Sequence, residues 1–241
     1  MAKVSGLNVR LYVAGNDLSG DANSIGGAGY SQEVFDVTTL NSTAVKRIAG
    51  RSDGTLSVSG FFDNASNRIH ATFTSNSGKL PITDQVILVP LGASVGDNMV
   101  AMIAKEGDYT VDRGQGSAIA VSSTFSGNGT AGQFGEMLTA HDDTHGSATD
   151  GTAVDNTASS SAGGAGYVQI MSLGSGTVEV KIEDSSDNVT YSDLVTFTSA
   201  GTSDVPTAER VEVSGTVERY IRVSTSGTFT DAKIAVGFAR F

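Results

Sequence analysis

Apolar side chains recur at every second position in short runs along this chain, and that period constrains the fold more than any other feature. Leu7, Val9, Leu11 and Val13 keep it at the start, and Leu56 and Val58 keep it between Thr55, Ser57 and Ser59. It returns in residues 167–173 and 177–183. An extended backbone sends successive side chains to opposite faces, so such runs predict half-buried strands. Thirty glycines among 241 residues, with abundant serine and threonine, supply the turns. With 39% apolar and 17% charged residues, the chain suits many short strands and gives a helical bundle little to pack.

The length fits one large β domain or two small ones. No apolar run approaches the roughly 20 residues needed to cross a bilayer, so no membrane partner is expected. The segment 1–7 lacks the apolar core of a secretory leader, which predicts synthesis in the cytoplasm. Cysteine is absent, which excludes disulfides, thiolate catalysis and cysteine metal sites. The net charge of −11 opposes wrapping of nucleic acid through phosphate contacts. Residues 1–140 hold nine basic against twelve acidic side chains, and residues 141–241 hold six against fourteen. Most of the acidity therefore lies in the second part.

Organisation follows from turn and breaker residues. Residues 7–13 predict a first strand, closed by Gly15-Asn16-Asp17. Residues 17–30 are polar and glycine-rich and read as a long loop or arm, with 21–30 as the part that reaches a neighbour. Asp53-Gly54 then predicts a tight turn within a hairpin over 44–62. Ala65, Ile69 and Phe73 stand at helical spacing, which predicts a helix over 65–73 capped by Asp63 or Asn64 and stopped by Gly78. Further strands are expected at 84–90, 99–104, 108–112 and 118–125. Residues 141–166 are almost all Asp, Ser, Thr, Ala and Gly, the composition of a linker. Six strands between 167 and 241 predict a second, C-terminal antiparallel sandwich.

Reactive constellations are scarce. His141-Asp142-Asp143-Thr144-His145 would offer two imidazoles to a cation only on a helix, which Thr144, Gly146 and the serine-rich surroundings oppose. The aspartate spacing there also misses the calcium-loop pattern. Asp184-Ser-Ser-Asp187-Asn188 has the composition of a strand-to-strand turn. His70 flanks the predicted helix with no partner at a ligand spacing. Gly26-Gly-Ala-Gly29 and Gly163-Gly-Ala-Gly166 echo each other, yet neither stands between a strand and a helix with a lysine, as a phosphate loop requires. No serine sits on a nucleophile elbow. The sequence therefore predicts no catalytic, cofactor-binding or metal-binding residues, and an enzyme is not expected.

The order of elements in the first half carries a resemblance. Asp36-Val37-Thr38, the basic pair Lys46-Arg47, Ile48-Ala49-Gly50, Asp53-Gly54, an alternating strand, Phe61-Phe62-Asp63 and a short helix follow one another. This resembles the major tail tube proteins of long-tailed bacteriophages over the first ~130 residues. The resemblance implies a mainly β fold: a tube-like domain over 1–140, of two packed antiparallel sheets with one short helix, then a linker over 141–166. An outward-facing β-sandwich over 167–241 completes it. It also implies rings, of six chains or of three if the second half is another tube-like copy, stacked around a channel for DNA. In that setting the chain is a virion component that meets other tail proteins and passes genomic DNA without specific binding. The second half also resembles discoidin-type modules, some of which bind sugars, but Tyr191 stands in a chain with no tryptophan. That likeness leaves a carbohydrate-binding or capsid decoration role as the alternative.

Overall fold

The computed structural model describes residues 6–241, so most of the N-terminal segment read above for a leader lies outside it. Two short strands, β1 (Tyr12–Val13) and β2 (Asn16–Asp17), come first. Two strands of fifteen residues follow, β3 (Ala22–Asp36) and β4 (Arg47–Phe61). A single turn of helix, α1 (Ile69–Phe73), precedes β5 (Gln85–Pro90), β6 (Asn98–Asp112), β7 (Ala120–Gly127) and β8 (Gln133–Met137). Two-residue strands β9 (Thr144–His145) and β10 (Val154–Asp155) lead to β11 (Gly164–Ser172) and β12 (Ser175–Ser185). The chain closes with β13 (Ser192–Thr196), β14 (Ala200–Gly201), β15 (Thr207–Val213), β16 (Tyr220–Thr230) and β17 (Ala232–Arg240).

The fold is mainly β, and the strand pairs between these elements are antiparallel. Twelve strands form one sheet that curls back on itself, along β15-β11-β17-β8-β6-β5-β1-β2, with β7, β4 and β3 branching from β6 and β9 beside β17. β12, β16, β13, β10 and β14 form a second sheet. Among the described residues no helix is long and apolar enough to cross a membrane.

Side-chain alternation builds three cores from this arrangement. Leu11, Leu56, Val58, Ile87, Val89, Val100, Met102, Val121 and Phe125 close over Ile69 and Phe73 of α1. In the C-terminal part, Val168, Ile170, Ile234, Val236 and Phe238 pack on Val178, Val180, Ile182, Ile221 and Val223 of the second sheet. The alternate residues of the same strands form the third core: Ala165, Tyr167, Met171, Ala235 and Ala239 meet Tyr12, Leu88, Met99 and Ala101. β1, β5, β11, β17 and residues 99–104 of β6 are thus buried on both faces. Gly237 permits the close approach, since a Cβ there would fall 2.4 Å from Met99 Sδ.

Gln169 fastens the two parts. Fully buried, its Oε1 accepts from Gly15 N at 2.6 Å and its Nε2 donates to Val86 O at 2.9 Å. Gln169→Leu keeps the volume and orphans the Gly15 N–H, worth about 1–3 kcal/mol when buried, while Val86 O keeps its bond from Ala14 N at 3.0 Å. We expect a loss of roughly 1–3 kcal/mol, read as a lower midpoint in urea unfolding.

Several sequence expectations are corrected. Asp53-Gly54 is not a turn: β4 runs straight through it, with Asp53 opposite Ser31 and Gly54 opposite Tyr30. Gly54 answers a steric need instead, because a Cβ there would sit 2.6 Å from Gly132 N. The helix begins at Ile69 and not Ala65, since Asn67 takes a left-handed φ of 63°. Its Ile69 N–H donates to Asp21 Oδ2 at 3.0 Å, so the capping carboxylate is Asp21, while Asp63 accepts from Ala65 N in a local turn. Only Tyr12–Val13 of the first predicted strand enters the sheet. The strands expected at 99–104 and 108–112 are one strand, β6, bulged between Glu106 and Asp108. Residues 141–166 are stitched to their surroundings: β9 pairs with β17, β10 pairs with β16, and Gly164 already opens β11.

Candidate assembly interface

β4 has a neighbour on each side only over Thr55–Phe61, where β7 and β3 flank it. Beyond Gly54, β3 and β4 continue alone as a two-stranded ribbon to the Asp36–Arg47 pair, and residues 37–46 close its end. The paired part beyond Tyr30 is roughly 20 Å long at the rise of an antiparallel strand. This ribbon, residues 31–52, is the arm. Residues 21–30, expected to reach outward, instead lie at its root, where Ala22–Tyr30 pair with Gly54–Gly60.

Both faces of the arm are uncovered. Phe35 lies opposite Ile48, and its ring crosses Gly50, where a Cβ would come within 2.6 Å of it. Val34 lies opposite Ala49 on the other face. Val34, Phe35, Val37, Val45 and Ile48 are each 41–56% exposed, and Leu40 at the tip is fully exposed. An isolated ribbon of two strands is marginal in water, and its free edge is a template for another chain. Contiguous apolar surface of this kind marks an interface. Within the arm, Glu33 and Asp36 stand against Lys46, Arg47 and Arg51, a net charge of +1 on a chain of net charge −11.

The residues weighed in the sequence for chemistry are scattered. Asp142 binds Arg10 at 2.7 Å and Lys233 at 2.8 Å, and these cations, Lys233 foremost, hold its carboxyl below the usual range. His145 Nε2 lies 3.2 Å from Asp143, while its Nδ1 lies 3.3 Å from Thr225 Oγ1. Burial pushes the His141 imidazole below its ordinary value, and its Nε2 has no partner among the described residues. Among the described residues, no three His, Cys, Asp or Glu groups converge as a metal site. Asp187 Oδ1 accepts from Val189 N and Thr190 N at 2.9 Å, which sets a turn just beyond β12, while Asp184 and Ser185 still belong to that strand. His70 stacks on Phe62 and reaches the Tyr109 hydroxyl at 3.1 Å. Both Gly-Gly-Ala-Gly phrases fall in or beside strands, at β3 and β11. On the second sheet, Arg222 covers Tyr191 at 3.9 Å and pairs with Glu183 and Asp150, so this polar face satisfies itself.

The arm was hidden in the sequence because its residues mix small, charged and apolar types without a clean period. The one available signal was the neutral stretch 37–45 between two charged pairs of residues.

No family model and no curated protein matches the chain. Solved structures do show similarity. The cap that terminates the tube of the anti-feeding prophage is 9% identical, with a TM-score of 0.45, over 56% of this chain and 93% of that one. A chain in the virion of a native gene transfer agent particle is 15% identical, with a TM-score of 0.42, over 54% and 96%. The SPP1 Dit (gp 19.1) protein, described as a paradigm of the hub adsorption apparatus in phages infecting Gram-positive hosts, is 14% identical. That match has a TM-score of 0.37 and covers 97% of this chain and 99% of that one.

Proposed function

We propose that this chain is a non-enzymatic structural subunit of a bacteriophage tail. It assembles with copies of itself into rings, six chains to a ring, that stack around a channel through which DNA passes. The observation that carries this reading is the arm: a ribbon without a third strand, apolar on both faces and free of the negative charge that the chain carries as a whole. A second copy would complete its open edge and cover its faces, which is the physical reason to assemble. The order of residues 36–63 supports the same reading through its resemblance to tail tube proteins. The second sheet and its partner strands form the C-terminal sandwich, which we place outward from the channel.

Electron microscopy of the purified chain tests this. Rings or stacked tubes of uniform width are the expected result. A monomer that persists at high protein concentration would sink the reading.

A further inference from the structure

The larger sheet ends at β15, which pairs with β11 on one side and has no strand on the other among the described residues. Beside that free edge lies a groove of about 330 Å³, between residues 207–209 of β15 and the segment that carries Thr198, Ser199 and Asp204. Its rim is acidic. Glu209 accepts from Thr198 N at 2.7 Å and from Thr198 Oγ1 at 3.2 Å, and Asp204 Oδ2 accepts from Gly201 N at 2.7 Å. Among the described residues neither carboxylate pairs with a cation. A carboxylate offers about four acceptor positions, so both keep capacity for a donor from outside. Asp204 is exposed and Glu209 half-buried, which leaves both within reach of a neighbour.

The arm has the opposite make-up. Eight lysine and arginine side chains of the body are held in ion pairs, yet Lys46, Arg47 and Arg51 are in none among the described residues. Arg47, Ala49 and Arg51 alternate along β4 and so share one face, with Val34 across from Ala49. The outer edge of β4 is open there, because its pairing with β7 stops at Thr55. We infer that β4 in the arm of a second copy lies along the free edge of β15 and adds a strand to it, with Arg47 and Arg51 over the acidic rim. This inference rests on the assembly reading above and names the surface that receives the arm. Each side supplies what the other lacks: two open backbone edges complete one ladder, and unpaired cations meet unpaired carboxylates. Val205 and Val211, both partly buried, adjoin the two acids in sequence and offer Val34 an apolar contact. Charge of opposite sign also selects this contact, since acidic surfaces elsewhere on two chains of net charge −11 repel each other.

Charge reversal tests the pairing. Arg47→Glu with Arg51→Glu, and separately Asp204→Lys with Glu209→Lys, should each weaken association in sedimentation velocity at least about tenfold. All four changes in one chain should restore it to within about threefold of wild type. Glu209→Lys gives up the Thr198 contacts, so a second measurement leaves the acids in place. The native chain has no cysteine, and introduced thiols therefore report contact without background. Chains with Ala49→Cys and chains with Ser199→Cys, both exposed positions, are assembled together and oxidised. A covalent heterodimer on a non-reducing gel is expected, and none when Val189→Cys, at the other end of β13, replaces Ser199→Cys. Assembly without that cross-link, or an equal cross-link to Val189→Cys, overturns the contact at β15 while leaving the rings. A fourfold reversal that folds and does not associate overturns it too. Wild-type chains that never assemble overturn both readings.

Discussion

Cutting back the arm is expected to abolish assembly and leave the fold intact. Replacing residues 32–52 by Asn-Gly joins Ser31 to Asp53, which already face each other in the β3–β4 ladder. Asn-Gly suits the two-residue turn that such a hairpin needs. The excised side chains include Val34, Phe35, Val37, Leu40, Val45 and Ile48, which are all exposed and so contribute little to the isolated chain. Its melting temperature should therefore stay within a few degrees of wild type. Assembly is a different matter. Each such side chain gives about 1.5–3 kcal/mol if fully buried against a neighbour, and each 1.4 kcal/mol is tenfold in affinity. Even after the ordering costs of association, losing most of this set removes several orders of magnitude. Sedimentation velocity at micromolar concentration should show monomer only. Trimmed chains that assemble as well as intact ones would show that the arm plays no part in assembly.

The strands were legible where one face is wet. β7 and β12 alternate buried with less buried residues, so their period announces them. β11 and β17 were legible as strands but not as the shared layer, because both faces are buried. Nothing in their local pattern says that Tyr167 and Ala235 meet Tyr12 and Leu88 from the other end of the chain. Asp53-Gly54 misled for a related reason. The dipeptide is the commonest signature of a tight turn, yet the glycine is there for a tertiary approach by Gly132. The helix was overextended because Asn67 breaks it through backbone conformation, which apolar spacing at 65, 69 and 73 does not register. The arm escaped because its reason for being apolar lies outside the chain. A sequence pattern reports burial within a fold, whereas the arm and the free edge of β15 are each incomplete alone.

Glu106 should make this protein lose stability as pH rises through the neutral range. It is 7% exposed at the β6 bulge, where the strand leaves β5 and turns to pair with β7. Ser123 Oγ lies 2.8 Å from Glu106 Oε1 and 2.8 Å from Asp108 O, and one hydroxyl proton can serve only one of them. A proton on the Glu106 carboxyl supplies the second contact, so the neutral acid closes the chain from Glu106 through Ser123 to the Asp108 carbonyl. Among the described residues its Oε2 has no partner, and no cation pairs with Glu106. Asp108 and the Tyr109 phenol stand beside it, with His70 of α1 beyond the phenol. Burial first, and the Asp108 charge after it, push Glu106 up to about 8 against the opposing bond from Ser123. A carboxyl raised on folding binds its proton more tightly in the native state than in the unfolded chain. The stabilisation is complete below the ordinary carboxylate value and fades until the pH passes about 8. Its size is on the order of 5 kcal/mol, since going from 4.5 to about 8 is roughly 3.5 tenfold changes in proton affinity at about 1.4 kcal/mol each. Glu106→Gln keeps the neutral shape and a donor toward Ser123, so its stability should stay flatter between pH 5 and pH 9. It should therefore overtake wild type at the alkaline end. Carboxylates that ion pairs hold low, such as Asp155 at about 2 beside Arg219, act only in the acid range and are common to both chains. Infrared spectra at neutral pH should also show the carbonyl stretch of a neutral carboxyl in wild type and not in Glu106→Gln. Parallel pH profiles for the two chains, with no such band in wild type, would mean that Glu106 is ionised in the fold.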